Sequence, residues 1–229
     1  MRECLKNLNP EKLAKYFDHT RLNADAVTAD FEKLCEESKK YGFRMVAINP
    51  APVELCKRLL SGTDVHVGAA IGFPLGQTTK EDKLAETLTA IKNGADEIDY
   101  VINLSRLKEK DYTYIEKEMA DIVEACKKNR VISKVIFENC YLTDKEKEEL
   151  CRISLSVGPD FIKTSTGFGT GGATAADLKL MKRMVGDNIQ IKAAGGIRTL
   201  DTALEYIEIG VTRLGSTSSV NIMKEYMSL

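Results

Sequence analysis

Two lysines and one aspartate carry the chemistry that this chain could do. Lys163 sits in Phe161-Ile162-Lys163-Thr164, a short apolar run that leads into the glycine-rich turn Gly167-Phe168-Gly169. An ammonium in such a run is costly to bury unless it is paired or loses its proton. Lys192, in Ile189-Gln190-Ile191-Lys192-Ala193, repeats the oddity, and Asp99, in Glu97-Ile98-Asp99-Tyr100-Val101, supplies a carboxylate. A neutral amine attacks a carbonyl, and burial beside a second cation brings an amine's pKa down toward neutrality. The resulting protonated imine is an electron sink that acidifies the neighbouring carbon, so a carboxylate can move that proton directly or through water without a metal. The competing reading is a buried Lys–Asp salt bridge that only holds the fold. A second inward lysine at the same level leaves one charge unbalanced, which favours chemistry. Spacing alone does not say which lysine attacks.

Groups so far apart in sequence need a scaffold that gathers them. Strand-like runs are expected at Tyr16–Thr20, Met45–Asn49, Val65–Gly72, Glu97–Ile102, Ser133–Asn139, Phe161–Thr164, Ile189–Ala193 and Arg213–Gly215. Amphipathic segments separate them. Thr78-x-x-Glu81 and Thr143-x-x-Glu146 read as capping boxes, and Gly42, Gly62, Gly94, Gly158 and Gly210 as helix ends. Strand–helix alternation implies a parallel sheet, and eight repeats without a topological reversal predict a closed (β/α)8 TIM barrel as one domain over residues 1–229. An extra N-terminal helix, about Pro10–Tyr16, would cover the barrel's bottom. The two-residue period of a strand then turns Asp99, Lys134, Glu138, Phe161, Lys163 and Lys192 into the lumen. Asp99, Lys163 and Lys192 fall at the C-terminal ends of strands 4, 6 and 7, where barrels keep their chemistry.

The glycines after strands 7 and 8, Gly195-Gly196 and Gly215-Ser-Thr-Ser-Ser219, suit an anion, because bare N–H groups, hydroxyls and a helix start hold a phosphate. Gly167-Phe-Gly-Thr-Gly-Gly172 is not a dinucleotide loop: its last spacing misfits, and that fingerprint belongs to an open sheet.

Composition narrows the classes. Of 229 residues, 43% are hydrophobic, as in an ordinary soluble globular protein. Thirty-three basic against 34 acidic side chains give a net charge of −1, which argues against a nucleic-acid or membrane-surface protein. The start of the chain has no apolar run of secretory length and no segment approaches a membrane span, so a cytoplasmic location is expected. Cys4, Cys35, Cys56, Cys126, Cys140 and Cys151 form no C-x-x-C pair and lie far in sequence from His19 and His66. Zinc spacing is thus missing, and reduced, mostly buried thiols are expected.

Several segments together resemble the deoxyribose-phosphate aldolases: Phe17-Asp-His-Thr-Arg-Leu22, Ile71-Gly-Phe-Pro-Leu-Gly76, Asp96-Glu-Ile-Asp-Tyr-Val-Ile-Asn103, Lys134-Val-Ile-Phe-Glu138, Phe161-Ile-Lys-Thr-Ser-Thr-Gly-Phe168, Ile191-Lys-Ala-Ala-Gly-Gly-Ile-Arg198 and Arg213-Leu-Gly-Ser216. The resemblance runs nearly end to end. It implies a class I aldolase without metal or cofactor that reversibly splits 2-deoxy-D-ribose 5-phosphate into D-glyceraldehyde 3-phosphate and acetaldehyde, working as a homodimer or larger assembly. By the same resemblance Lys163 is the Schiff-base lysine, Lys192 lowers its pKa, and Asp99 moves the proton. It further implies that Gly167, Gly195, Gly196, Gly215, Thr217 and Ser218 surround the phosphate, and that Asp18 and Thr20 contact the substrate hydroxyls or the relay. His19 is expected to be structural, since parity turns it away from both. Two departures stand out. Where many relatives carry a cysteine in the second strand, this chain reads Ala47-Ile-Asn-Pro50, which predicts milder inactivation by aldehydes. The last loop reads Gly215-Ser-Thr-Ser-Ser-Val220 in place of the common Gly-Thr-Ser-Ser-Gly, so its phosphate contacts are expected only to within a residue. The alternatives are a Schiff-base aldolase for another phosphosugar and a catalytically silent phosphosugar-binding barrel.

Overall fold

The computed structural model describes residues 8–229; Cys4 lies outside them. Eight parallel strands close on themselves in chain order: β1 (Phe17–Arg21), β2 (Met45–Ile48), β3 (His66–Ile71), β4 (Glu97–Val101), β5 (Ile132–Ile136), β6 (Phe161–Lys163), β7 (Gln190–Ala194) and β8 (Arg213–Ser216). All eight expected strands form, within a few residues of their expected ends. The helices between them are α2 (Thr28–Tyr41), α3 (Val53–Leu59), α4 (Lys80–Lys92), α5 (Leu104–Lys108), α6 (Tyr112–Asn129), α7 (Asp144–Val157), α8 (Ala175–Val185) and α9 (Leu200–Ile209), with α10 (Ser219–Met227) after β8. The short α1 (Pro10–Ala14) runs into the start of β1.

Local chemistry sets the boundaries. Thr143 and Glu146 cap α7 reciprocally: the Glu146 N–H donates to Thr143 Oγ1 at 3.4 Å, and the Thr143 N–H donates to Glu146 Oε2 at 2.7 Å. The cap expected at Thr78 and Glu81 lies one residue later. Thr79 takes the Asp82 N–H at 3.1 Å, and the Asp82 carboxylate accepts from both threonine hydroxyls. The Thr-Thr doublet offers two registers, and the one with an acid three residues on that also ties down both hydroxyls prevails. Helices α2, α7 and α9 end on Gly42, Gly158 and Gly210 in the left-handed conformation, as the sequence suggested.

Strands β2 and β4 are buried at every position, the mark of a parallel sheet covered on both faces. Ile98, Tyr100, Ile191 and Ala193 turn outward and pack in the apolar layer between barrel and helices. The opposite parity fills the lumen with charge. Asp18, Glu97, Asp99, Lys134, Lys163, Lys192 and Arg213 are all nearly fully buried there, with the rings and sulfur of Phe161 and Met45 between them. Where barrel interiors are usually stacked with branched aliphatic residues, this one is an ion-pair cluster.

Candidate active site

Register puts the two lysines of the sequence motif side by side, since Lys163 of β6 pairs with Lys192 of β7. Both amines reach one oxygen of Asp99: Oδ2 accepts from Lys163 Nζ at 2.8 Å and from Lys192 Nζ at 2.6 Å. The other oxygen, Oδ1, accepts from Lys134 Nζ at 2.6 Å. Below this level Lys134 pairs with Glu97 at 2.5 Å, and the Arg213 guanidinium bridges Glu97 at 3.0 Å and Asp18 through Nε at 2.7 Å. Asp18 closes the ring by pairing with Lys192 at 2.5 Å, and His66 meets Glu97 at 2.7 Å from a part-exposed edge.

The connected cluster therefore holds four cationic side chains, Lys134, Lys163, Lys192 and Arg213, against three carboxylates, Asp18, Glu97 and Asp99. It balances when one lysine is neutral. Burial, with Lys192 and Lys134 nearby, pushes the Lys163 amine down to about 8, against the opposing pull of Asp99. Burial works to raise the Asp99 carboxyl, but the three ammonium groups overcome it and hold Asp99 well below the usual carboxylate range. Lys134, also fully buried, goes the other way: Asp99 and Glu97 outweigh burial and raise it. The lysine that stands out is thus the one the sequence singled out first.

Lys163 and Lys192 open into a cavity of about 180 Å³ at the C-terminal end of the barrel, bounded by the loops after β6, β7 and β8. Thr20, Gly167, Gly195, Gly196, Gly215 and Thr217 line it, all expected from the sequence. Asp18 and Asp99 do not: they lie beneath its lysines, in the ion-pair cluster. Ser218 lies outside the lining, its N–H donating to Ser216 Oγ at 2.9 Å. His19 faces the helix layer, bonded to Glu37 at 3.0 Å and packed on Phe43. Ala47 lines the cavity, so the second strand brings no thiol to it.

The glycine-rich segment after β6 is one wall. A Cβ on Gly172 would lie 2.3 Å from the Gly195 carbonyl oxygen, so only glycine allows this loop to close over the β7 loop. Gly195 itself has φ +82°, which a residue with a side chain rarely adopts. Among the described residues, the N–H groups of Gly167, Gly195, Gly196 and Thr217 donate no protein hydrogen bond. Bare donors on residues that line one cavity suit a phosphate.

Sequence reasoning missed part of the site. Strand parity puts Lys134 in the lumen but assigns it no part, and it does not single out Glu97 or Arg213, although Glu97 shares the parity of Asp99. Arg198, exposed on the cavity lining, is the one cationic rim residue there and follows Gly196 by two positions. Among the described residues no group of three or more His, Cys, Asp or Glu could hold a metal ion. Nor is any described helix long and apolar enough to cross a membrane. Of the described cysteines, Cys35, Cys56, Cys126 and Cys151 are buried free thiols and Cys140 is part-exposed.

The chain is similar to known aldolases. The deoxyribose-phosphate aldolase of Lactobacillus acidophilus is 55% identical over 93% of this chain and 90% of its own. That of Bacteroides thetaiotaomicron is 54% identical over 99% of this chain and 95% of its own. The solved tetrameric deoxyribose phosphate aldolase of Aeropyrum pernix superposes with a TM-score of 0.91 at 32% identity, covering 98% of this chain and 95% of that one. A family profile described as DeoC/LacD family aldolase matches residues 12–217, most of the chain. With its barrel, its paired lysines and this near-complete match, the chain belongs to the DeoC/LacD family of aldolases.

Proposed function

We infer that the protein cleaves 2-deoxy-D-ribose 5-phosphate reversibly to D-glyceraldehyde 3-phosphate and acetaldehyde through a Schiff base on Lys163. The observation that carries this reading is a single cavity that joins a buried amine of pKa about 8 to a set of unclaimed backbone N–H groups. The relatives named deoxyribose-phosphate aldolase support the choice of substrate.

In the reading we adopt, neutral Lys163 attacks C1 of the open-chain sugar, and loss of water gives the protonated imine. The imine draws electrons as the C2–C3 bond breaks and the C3 hydroxyl gives up its proton. Glyceraldehyde 3-phosphate leaves, and an enamine remains on Lys163. Protonation at C2 and hydrolysis then release acetaldehyde and the free amine. Asp99, held as an anion, serves as the acceptor of protons, and Lys192 passes them between Asp99 and the cavity, which it lines. The bare N–H groups and Arg198 hold the phosphate end. The chain is taken to work as a homo-oligomer, as its tetrameric relative does.

Incubation with acetaldehyde followed by borohydride reduction and peptide mapping tests the reading. A single reduced two-carbon adduct on Lys163 is expected. Labelling at another lysine, or none, sinks it. Acetaldehyde as donor also separates this reading from an aldolase built for another phosphosugar.

A further inference from the structure

One buried carboxylate near the cavity stands apart from the ion-pair cluster. Glu138, two residues past the end of β5, is 2% exposed and meets no basic side chain among the described residues. Its backbone is left-handed, φ +45° and ψ +61°, a conformation that a residue with a side chain holds only when its surroundings enforce it. The enforcement is visible on both sides. The Phe137 N–H donates to the Lys163 carbonyl at 2.9 Å and the Asn139 N–H to the Thr164 carbonyl at 2.8 Å. The chain thus keeps its bonds to the end of β6 while Glu138 is twisted toward the loop beyond.

The carboxylate accepts weakly from the Cys140 thiol, Sγ to Oε1 at 3.9 Å, and otherwise serves one residue. Oε1 accepts the Thr166 N–H at 3.2 Å, and Oε2 accepts the Thr166 hydroxyl. Thr166 Oγ1 in turn accepts the Phe168 N–H at 3.0 Å. One acid therefore fixes the residues on either side of Gly167, whose own N–H is among the unclaimed donors of the cavity. Room for that acid is reserved in the sequence: a Cβ on Gly169 would lie 3.2 Å from its Oε1 and 2.7 Å from Cys140 Sγ. Glu138 does not itself line the cavity, so its charge is covered by the turn it holds.

We propose that Glu138 is a positioning residue for the phosphate end of the substrate: it locks the Thr166–Phe168 turn so that the Gly167 N–H faces the cavity in the geometry that receives a phosphate oxygen. The proposal rests on the phosphate reading above. Hydrogen-bond donors recognise an anion well only when their orientation is fixed before it arrives. In Glu138→Gln the amide oxygen can still take the Thr166 N–H, but the NH2 cannot accept the hydroxyl, which already receives the Phe168 N–H. In Glu138→Ala both bonds are lost.

Both variants are assayed for cleavage of 2-deoxyribose 5-phosphate and of unphosphorylated 2-deoxyribose, with thermal melting as the control for folding. KM for the phosphorylated sugar should rise about 3-fold in E138Q and about 10-fold in E138A, about 1.4 kcal/mol of binding for the latter. Its kcat should stay within about 2-fold, and kcat/KM for deoxyribose should not move. Calorimetric titration of wild type and variants with inorganic phosphate should show the same weakening, and it reads the cradle whichever phosphosugar is turned over. Equal losses on both sugars would assign Glu138 to the reacting end or to general stability. A lower melting temperature with both KM values kept, or a KM that falls in E138Q as a repelling charge is removed, would equally overturn the proposal.

Discussion

Replacing Lys192 by methionine should move the pH dependence of the enzyme, and the size of the move follows from the cluster's charge count. Lys163 and Lys192 both bond Asp99 Oδ2, at 2.8 and 2.6 Å, so the two nitrogens lie within about 5 Å of each other. Two unit charges at about 5 Å, with an effective dielectric constant of about 20, repel by about 3 kcal/mol, or about two pKa units. With Lys192 present, four cationic side chains face three carboxylates, and neutrality at Lys163 balances the cluster. In K192M three face three, and balance requires Lys163 to be protonated. Its pKa should therefore rise from about 8 toward about 10. At pH 7 the neutral fraction would drop from about one in ten to about one in a thousand, a loss of about 100-fold in kcat/KM that shrinks as the pH is raised. Methionine roughly keeps the volume, and Asp18 keeps Arg213 as partner, so the fold should survive. The assay is kcat/KM for deoxyribose 5-phosphate cleavage from pH 6 to 10.5, with borohydride trapping of the acetaldehyde imine at each pH. A loss that is uniform across pH, with the acid limb still near 8, would refute the electrostatic role and leave Lys192 as a proton carrier only. Unchanged activity would remove it from the reaction.

Further expectations follow from the same geometry. Asp99→Asn should shift the acid limb the opposite way, because Asp99 is the group that holds the Lys163 amine up; a pH profile with slower turnover and a limb below 8 is the expected result. Arg198→Ala should raise KM for the phosphorylated sugar several-fold while leaving deoxyribose turnover unchanged, as steady-state kinetics on the two sugars would show. Concentrated acetaldehyde or crotonaldehyde should inactivate the enzyme slowly, since Ala47 supplies no thiol to the cavity; fast loss of activity with a cysteine adduct by mass spectrometry would contradict this. Outside the barrel, Lys83 Nζ bonds Glu118 at 2.6 Å and the Val101 carbonyl at 2.8 Å, both side chains being fully buried. Glu118→Ala strands that ammonium and should cost about 3–5 kcal/mol in denaturant unfolding.

Sequence by itself determined the barrel and which ionisable side chains enter its lumen near the catalytic end. Period-two strands alternating with capped helices fix a parallel sheet, and the count of eight without a reversal fixes its closure, because both are local patterns repeated along the chain. The same parity placed Asp99, Lys163 and Lys192 in the lumen, since a residue's side of a strand is set by its neighbours two positions away. Tertiary structure decided how charges far apart in sequence are shared. Lys192 meets Asp99 across 93 residues and Arg213 meets Asp18 across 195, and no local pattern encodes which carboxylate serves which cation. The tertiary structure also withdrew Asp18 from the cavity lining, brought Arg198 to its rim, and turned Glu138 out of strand geometry toward Thr166. The lysine in an apolar strand was legible because it breaks a local rule. Its pKa was not, because that is the sum of burial and every charge the closed barrel brings within a few ångströms.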